Sequence, residues 1–321
     1  MISLSFGLEF DDLYSSNGLK KLDNCFLNWL KNDFCQLPNS SLSRFHSIDF
    51  AEIIERKRKE KEELNSEEII DIAILTELFL SKLFQIENQL HNNKEKIANL
   101  KVIFKCRKVF IQKRVISKKD LTSADLASSL DILQKHGLSD YQNTLNFAKS
   151  VLAWLNDDNE EAIAAAQNYA NYRVHQPSND FNFDEFSKIL FSIPKKLDFA
   201  NLITDLDRKN DLLFYDQDKL RNRSNFSLND QEKNLANSQK NAFYCIYCHT
   251  RKKDSCSHGI FDSTSQSIKK NPLNISLDGC PLREKISEMN LLRANNYIIA
   301  PLVTATLDNP MIAATGHRIC N

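Results

Sequence analysis

The chain has 321 residues and only six glycines, where average usage of ~7% would give about 22. The six are spaced too widely to write a G-x-G-x-x-G turn or a G-x-x-x-x-G-K-[ST] loop, so no glycine-rich phosphate cradle is expected, and with it no FAD or NAD(P) site. Forty-two Lys+Arg balance forty-two Asp+Glu, which excludes the net positive footprint of a general nucleic-acid binder or a protein drawn to an acidic membrane. The first residues, Met1 to Phe6, lack a basic flank and a continuous apolar run, and Asp11-Asp12 would interrupt any apolar core there, so the expected location is cytoplasmic.

The elements predicted in chain order are helical. Glu52 to Glu68 mixes Arg56, Lys57, Arg58, Lys59 and Lys61 with seven glutamates and reads as a solvated helix face with i,i+4 charge pairs. Ile72, Leu75, Phe79, Leu83, Ile86 and Leu90 recur at three- and four-residue steps, which predicts one helix that starts near Ser66 and breaks at His91-Asn92-Asn93. Val102 to Ile116 suits strand as well as helix. Leu126, Leu130 and Leu133 predict a helix ended by Gly137; a second run begins at Leu138, and Glu160 to Tyr172 is alanine-rich and helical. The asparagine-rich stretch 222–241 reads as a linker or an exposed helix. Further on, a helix is expected over Leu282 to Ala294 with Pro281 at its first position, and Ile298 to Leu307 suits either helix or extended chain because of Pro301.

Composition divides the chain near residue 240 into a helical part, 1–240, of unassigned role and a cysteine-bearing segment, 241–321. Five of the eight cysteines, Cys245, Cys248, Cys256, Cys280 and Cys320, fall in that segment. Without a secretory signal, such thiols are read as reduced or metal-bound, not as disulfides. Cys25, Cys35 and Cys106 are scattered among apolar residues and are expected to act as small hydrophobes. Cys245-Ile246-Tyr247-Cys248, then Cys256 and Cys280-Pro281, gives C-x2-C-x7-C-x23-C-P. Two thiolates separated by two residues can serve one metal from one turn, and soft sulfur selects zinc, Cu(I) or iron–sulfur clusters. His249, Arg251, Lys252, Lys253 and His258 lie between these candidates, either to offset cluster charge or as a solvated loop.

Gly279-Cys280-Pro281-Leu282 followed by Ile286, Glu288, Asn290 and Leu292 resembles the N-terminal iron–sulfur segment of glutamate synthase small-subunit-type FAD-dependent pyridine-nucleotide oxidoreductases, over roughly residues 243–321. Asn309-Pro310 and Thr315-Gly316-His317-Arg318-Ile319-Cys320 are similar to the later part of the same segment. The resemblance implies an electron-transfer module with a [4Fe-4S] cluster on Cys245, Cys248 and Cys256, the fourth thiolate coming from Cys280 or Cys320. It further implies an N-terminal fragment without catalytic residues, whose partner would be a separate downstream flavin oxidoreductase polypeptide. Two readings stand beside it. One is a structural zinc module on Cys245, Cys248, Cys256 and either His258 or Cys280; the other is a mostly α-helical protein with a decayed cluster site and a structural or interaction role, or none.

Overall fold

The computed structural model describes residues 4–34, 45–115, 121–175, 185–193, 206–209, 212–215, 235–264 and 267–315. The fold is mostly α-helical, as its apolar periodicity requires. The chain divides into two compact units: residues 1–101 together with 235–321, and residues 102–234. The composition shift near residue 240 falls close to the start of the first unit's second segment.

In the first unit, α1 (Ser16–Asn28) is capped by the Ser15 hydroxyl, which accepts the Gly18 amide at 3.0 Å, and runs on into a π turn at Trp29–Asp33. Helix α2 (Phe50–Glu60) buries Phe50, Ala51 and Ile54. Its charges pair as a solvated face does: Arg56 with Glu60 at 3.2 Å, Arg58 with Asp23 at 2.7 Å, Lys57 with Glu68 at 3.1 Å. Helix α3 (Ser66–Leu83) begins at a reciprocal cap, in which Asn65 accepts the Glu68 amide and Glu68 accepts the Asn65 amide. It ends earlier than its periodicity predicts. Gln85 adopts φ +54°, breaking the chain at residues 84–86, and His91-Asn92-Asn93 lie inside α4 (Glu87–Cys106). The apolar residues keep their phase across the short break, so periodicity alone cannot see it.

The second segment of this unit supplies α10 (Leu235–Tyr244), α11 (Ser255–His258), α12 (Ile286–Ala294), α13 (Ala300–Asp308) and α14 (Ile312–Thr315). Helix α12 packs on α10, α13 and α3, and α13 packs on α3. Leu292 and Ala300 thereby enter the core of Trp29, Phe34, Phe45, Leu75 and Phe79. Pro301 sits in the first turn of α13, where its missing N–H costs nothing. Helix α12 starts at Ile286, not at Leu282: Arg283 takes φ +55°, so Pro281 lies in a turn ahead of the helix.

In the second unit, the last turns of α4 pass through a π turn at Arg107–Ile111 into the short α5 (Gln112–Arg114), so Val102 to Arg114 is helical. Helix α6 (Ser123–Lys135) is capped by Thr122 and closed by Gly137 at φ +86°, as predicted. Helices α7 (Thr144–Asn156) and α8 (Glu160–His175) pack with it around Leu133, Phe147, Val151, Ile163 and Tyr169, and α9 (Glu185–Leu190) adds Leu190. Residues 138–143 form a turn before α7. The buried Arg173 guanidinium donates to the Tyr169 hydroxyl and to the Ser187 hydroxyl. An antiparallel pair, β1 (Leu206–Lys209) and β2 (Leu212–Tyr215), aligns Leu206 with Tyr215. The stretch 222–234 lies outside the described residues, and 235–241 belongs to α10.

Candidate functional site

The cysteine-bearing segment leaves α10 at Tyr244. Tyr247 takes the left-handed conformation (φ +51°), turning its amide back onto the Cys245 sulfur at 3.3 Å. A 3-10 turn at Cys248–Arg251 comes next, and the Ser255 amide donates to the Cys248 sulfur at 3.2 Å. Cys248 is buried, Cys245 half-buried, and Cys256 exposed on α11. The Cys280 amide donates to the Cys256 carbonyl at 2.7 Å, which joins the far end of the segment to its middle. That join depends on Gly279, whose missing Cβ would lie 2.3 Å from the Ser257 carbonyl oxygen and 2.6 Å from the Gly259 amide nitrogen.

A polar cluster lies beneath. The Ser287 hydroxyl stands 2.6 Å from Nδ1 of the buried His249 and 3.8 Å from the Cys245 sulfur. Glu288, fully buried, accepts from the Ser66 hydroxyl at the start of α3. Asn309 donates to the Glu284 carboxylate at 2.7 Å and to the Thr315 hydroxyl at 3.0 Å. Arg293 donates to Ser238, to the Tyr297 carbonyl and to the Leu235 carbonyl, tying α12 to α10; burial lowers its pKa, partly offset by the Glu77 carboxylate.

Glu77 is the residue that reading the sequence missed. It lies in the middle of the apolar α3 with 0% exposure. One carboxylate oxygen accepts the amides of Ile298, Ile299 and Ala300 at 2.8, 2.7 and 2.8 Å, capping α13 from a different helix; the other faces the Lys94 ammonium as an ion pair. The available signal was a lone carboxylate on the same helix face as Ile70, Ile74 and Ser81. A buried charge demands a partner.

These positions correct the cluster reading. Among the described residues, no group of three or more His, Cys, Asp or Glu side chains is disposed to hold a metal ion. The sulfurs of Cys245 and Cys248 each accept a backbone amide, from Tyr247 and Ser255. Partial burial, then the neighbouring Cys248 and Cys245, raise the pKa of the Cys256 thiol. Among the described residues, no donor set for a [4Fe-4S] cluster is formed. Cys320 and Cys35 lie outside the described residues. Cys106 is buried, as expected of a small hydrophobe, and burial pushes its thiol pKa far up.

A family model described as the RP005 N-terminal alpha-helical domain matches residues 4–85. A relative from Rickettsia prowazekii (strain Madrid E), described as "Uncharacterized protein RP005", is 31% identical over 312 residues, covering 92% of this chain and 100% of its own length. No solved structure matches. These matches overturn the resemblance to glutamate synthase small-subunit-type oxidoreductases, and with it the iron–sulfur electron-transfer role and the reading as an oxidoreductase fragment. The residues that carried the resemblance have packing roles instead: Gly279 permits a close backbone approach, Glu288 holds Ser66, and Leu292 enters the core.

Proposed function

Because the chain belongs to the RP005 family, we propose that it is a helical scaffold with a structural or interaction role, in which the cysteine-bearing segment completes the family's N-terminal helical domain. The carrying observation is the Glu77 carboxylate, which takes up three amides at the start of α13. Four N–H groups at a helix start have no partner within the helix, and here α3 supplies the acceptor. The domain and the segment therefore form one cooperative unit. Hydrogen exchange on the full chain tests this: Glu77→Gln should lower protection in α3 and in α12–α13 together, whereas loss confined to α13 would contradict it.

We further propose a cytoplasmic setting. Six free cysteines among the described residues suit a reducing compartment, and among those residues no helix is long and apolar enough to cross a membrane.

A further inference from the structure

Within the first unit, the turn leading into α3 and the loop Cys248–Asp254 enclose a cleft of about 910 Å³. Its walls carry opposite charges. Glu63 and Glu67 lie on the α3 side, and Lys252, Lys253 and Lys285 on the other, beside His249. Asp254 lies among the lysines and tempers that wall. Lys252, Lys253 and Glu67 form no ion pair among the described residues, so neither wall neutralises the other.

His249 supplies the second observation. The residue is 9% exposed, Nδ1 is engaged by Ser287, and the buried Nε2 has no hydrogen-bond partner among the described residues. Unsatisfied buried polar atoms are rare enough to need an explanation, and this one belongs to a residue that lines the cleft. A purely anionic ligand would be repelled by Glu63 and Glu67, and a purely cationic one by the lysines. We propose that the cleft binds a small zwitterionic molecule, its anionic group against Lys252 and Lys253 beside His249 and its ammonium group against Glu63 and Glu67. The volume lies within the ~300–1,000 Å³ range of small-molecule sites and far exceeds that of a single inorganic ion. This goes beyond the scaffold role and does not depend on it.

The test is a titration of the full chain followed by histidine ring NMR, with four probes: the dipeptide lysyl-aspartate, phosphoethanolamine, inorganic phosphate and ethylammonium. The proposal expects saturable shifts of the His249 ring with at least one zwitterion, the two distinguishing a carboxylate from a phosphate as the anionic group. Phosphate and ethylammonium alone should bind more weakly. Lys252→Ala combined with Lys253→Ala should weaken zwitterion binding about fivefold or more, as removal of two solvent-exposed charge contacts does. Glu67→Gln should weaken it by a smaller factor. All three substitutions are at exposed positions, and an unchanged amide spectrum would verify that the fold is retained. Silence of His249 to both zwitterions would overturn the proposal, as would phosphate alone binding as tightly as phosphoethanolamine.

Discussion

Replacing Glu77 by alanine should be among the most damaging single changes in the first unit. It removes the acceptor of three amides, at 2.7 to 2.8 Å from a fully buried oxygen. A hydrogen bond to a charged group contributes roughly 1.5–3 kcal/mol, and a buried donor left unsatisfied costs about 1–3 kcal/mol. Ile298 and Ile299 are only half-buried, so their freed amides regain some water, whereas Ala300 is fully buried. The Lys94 ion pair counts for less, about 1 kcal/mol at most, because that side chain is 29% exposed. We therefore expect a loss of about 3–5 kcal/mol, the range found when one partner of a buried pair is removed. Glu77→Gln keeps one carbonyl acceptor for the amides but loses the charge and replaces the oxygen facing Lys94 by an NH2 group, so a smaller loss, about 1–2 kcal/mol, is expected. Urea unfolding followed by circular dichroism, with amide exchange at residues 298–300, measures both. A loss below about 1 kcal/mol for Glu77→Ala, or unchanged exchange at those amides, would refute the argument that α3 caps α13.

Gly279→Ala should disrupt the cysteine-bearing segment, since its Cβ would strike backbone at 2.3 Å from the Ser257 oxygen; about 1–3 kcal/mol of overpacking is expected, read as faster proteolysis at residues 255–285. Cys106 has its thiol pKa raised by burial from an ordinary value of 9.0, so its contribution is fully present below about pH 9 and is lost as pH rises and the unfolded chain ionises. Cys106→Ala should flatten that alkaline decline of the second unit, and no flattening would count against a buried neutral thiol. Cys256 is held up first by burial and then by Cys248, so Cys248→Ser should speed alkylation of Cys256 at pH 8; a slower rate would contradict the electrostatic coupling. Arg58→Ala, despite its 2.7 Å contact with Asp23, should change stability by less than about 1 kcal/mol because both side chains are well exposed.

Much of the helical frame was legible in the residues. Gly137 ended α6 because only a residue tolerant of positive φ fits there, and the carboxylates after Ser66 marked the start of α3. The pairing of α2 charges came from their opposite signs. Breaks set by single left-handed residues, Gln85 and Arg283, were not legible, because non-glycine residues carry no composition signal for them. The cysteine spacing was visible but its chemistry was misread. C-x2-C reports only that two sulfurs share a turn; it cannot say whether further donors converge with them, and among the described residues no group of three or more does so in a way that could hold a metal. Nor could the sequence show that Glu288 faces Ser66, more than two hundred positions away.

Contacts of α3 with the cysteine-bearing segment, from Glu77 to the start of α13 and from Ser66 to Glu288, suffice to hold that segment on the N-terminal helices. Amide protection across residues 286–308 should be measured on anaerobically purified full chain, before and after stripping with a chelator under reducing conditions. The same protection is expected in both samples. Collapse of protection on stripping, with stoichiometric release of iron or zinc, would contradict it.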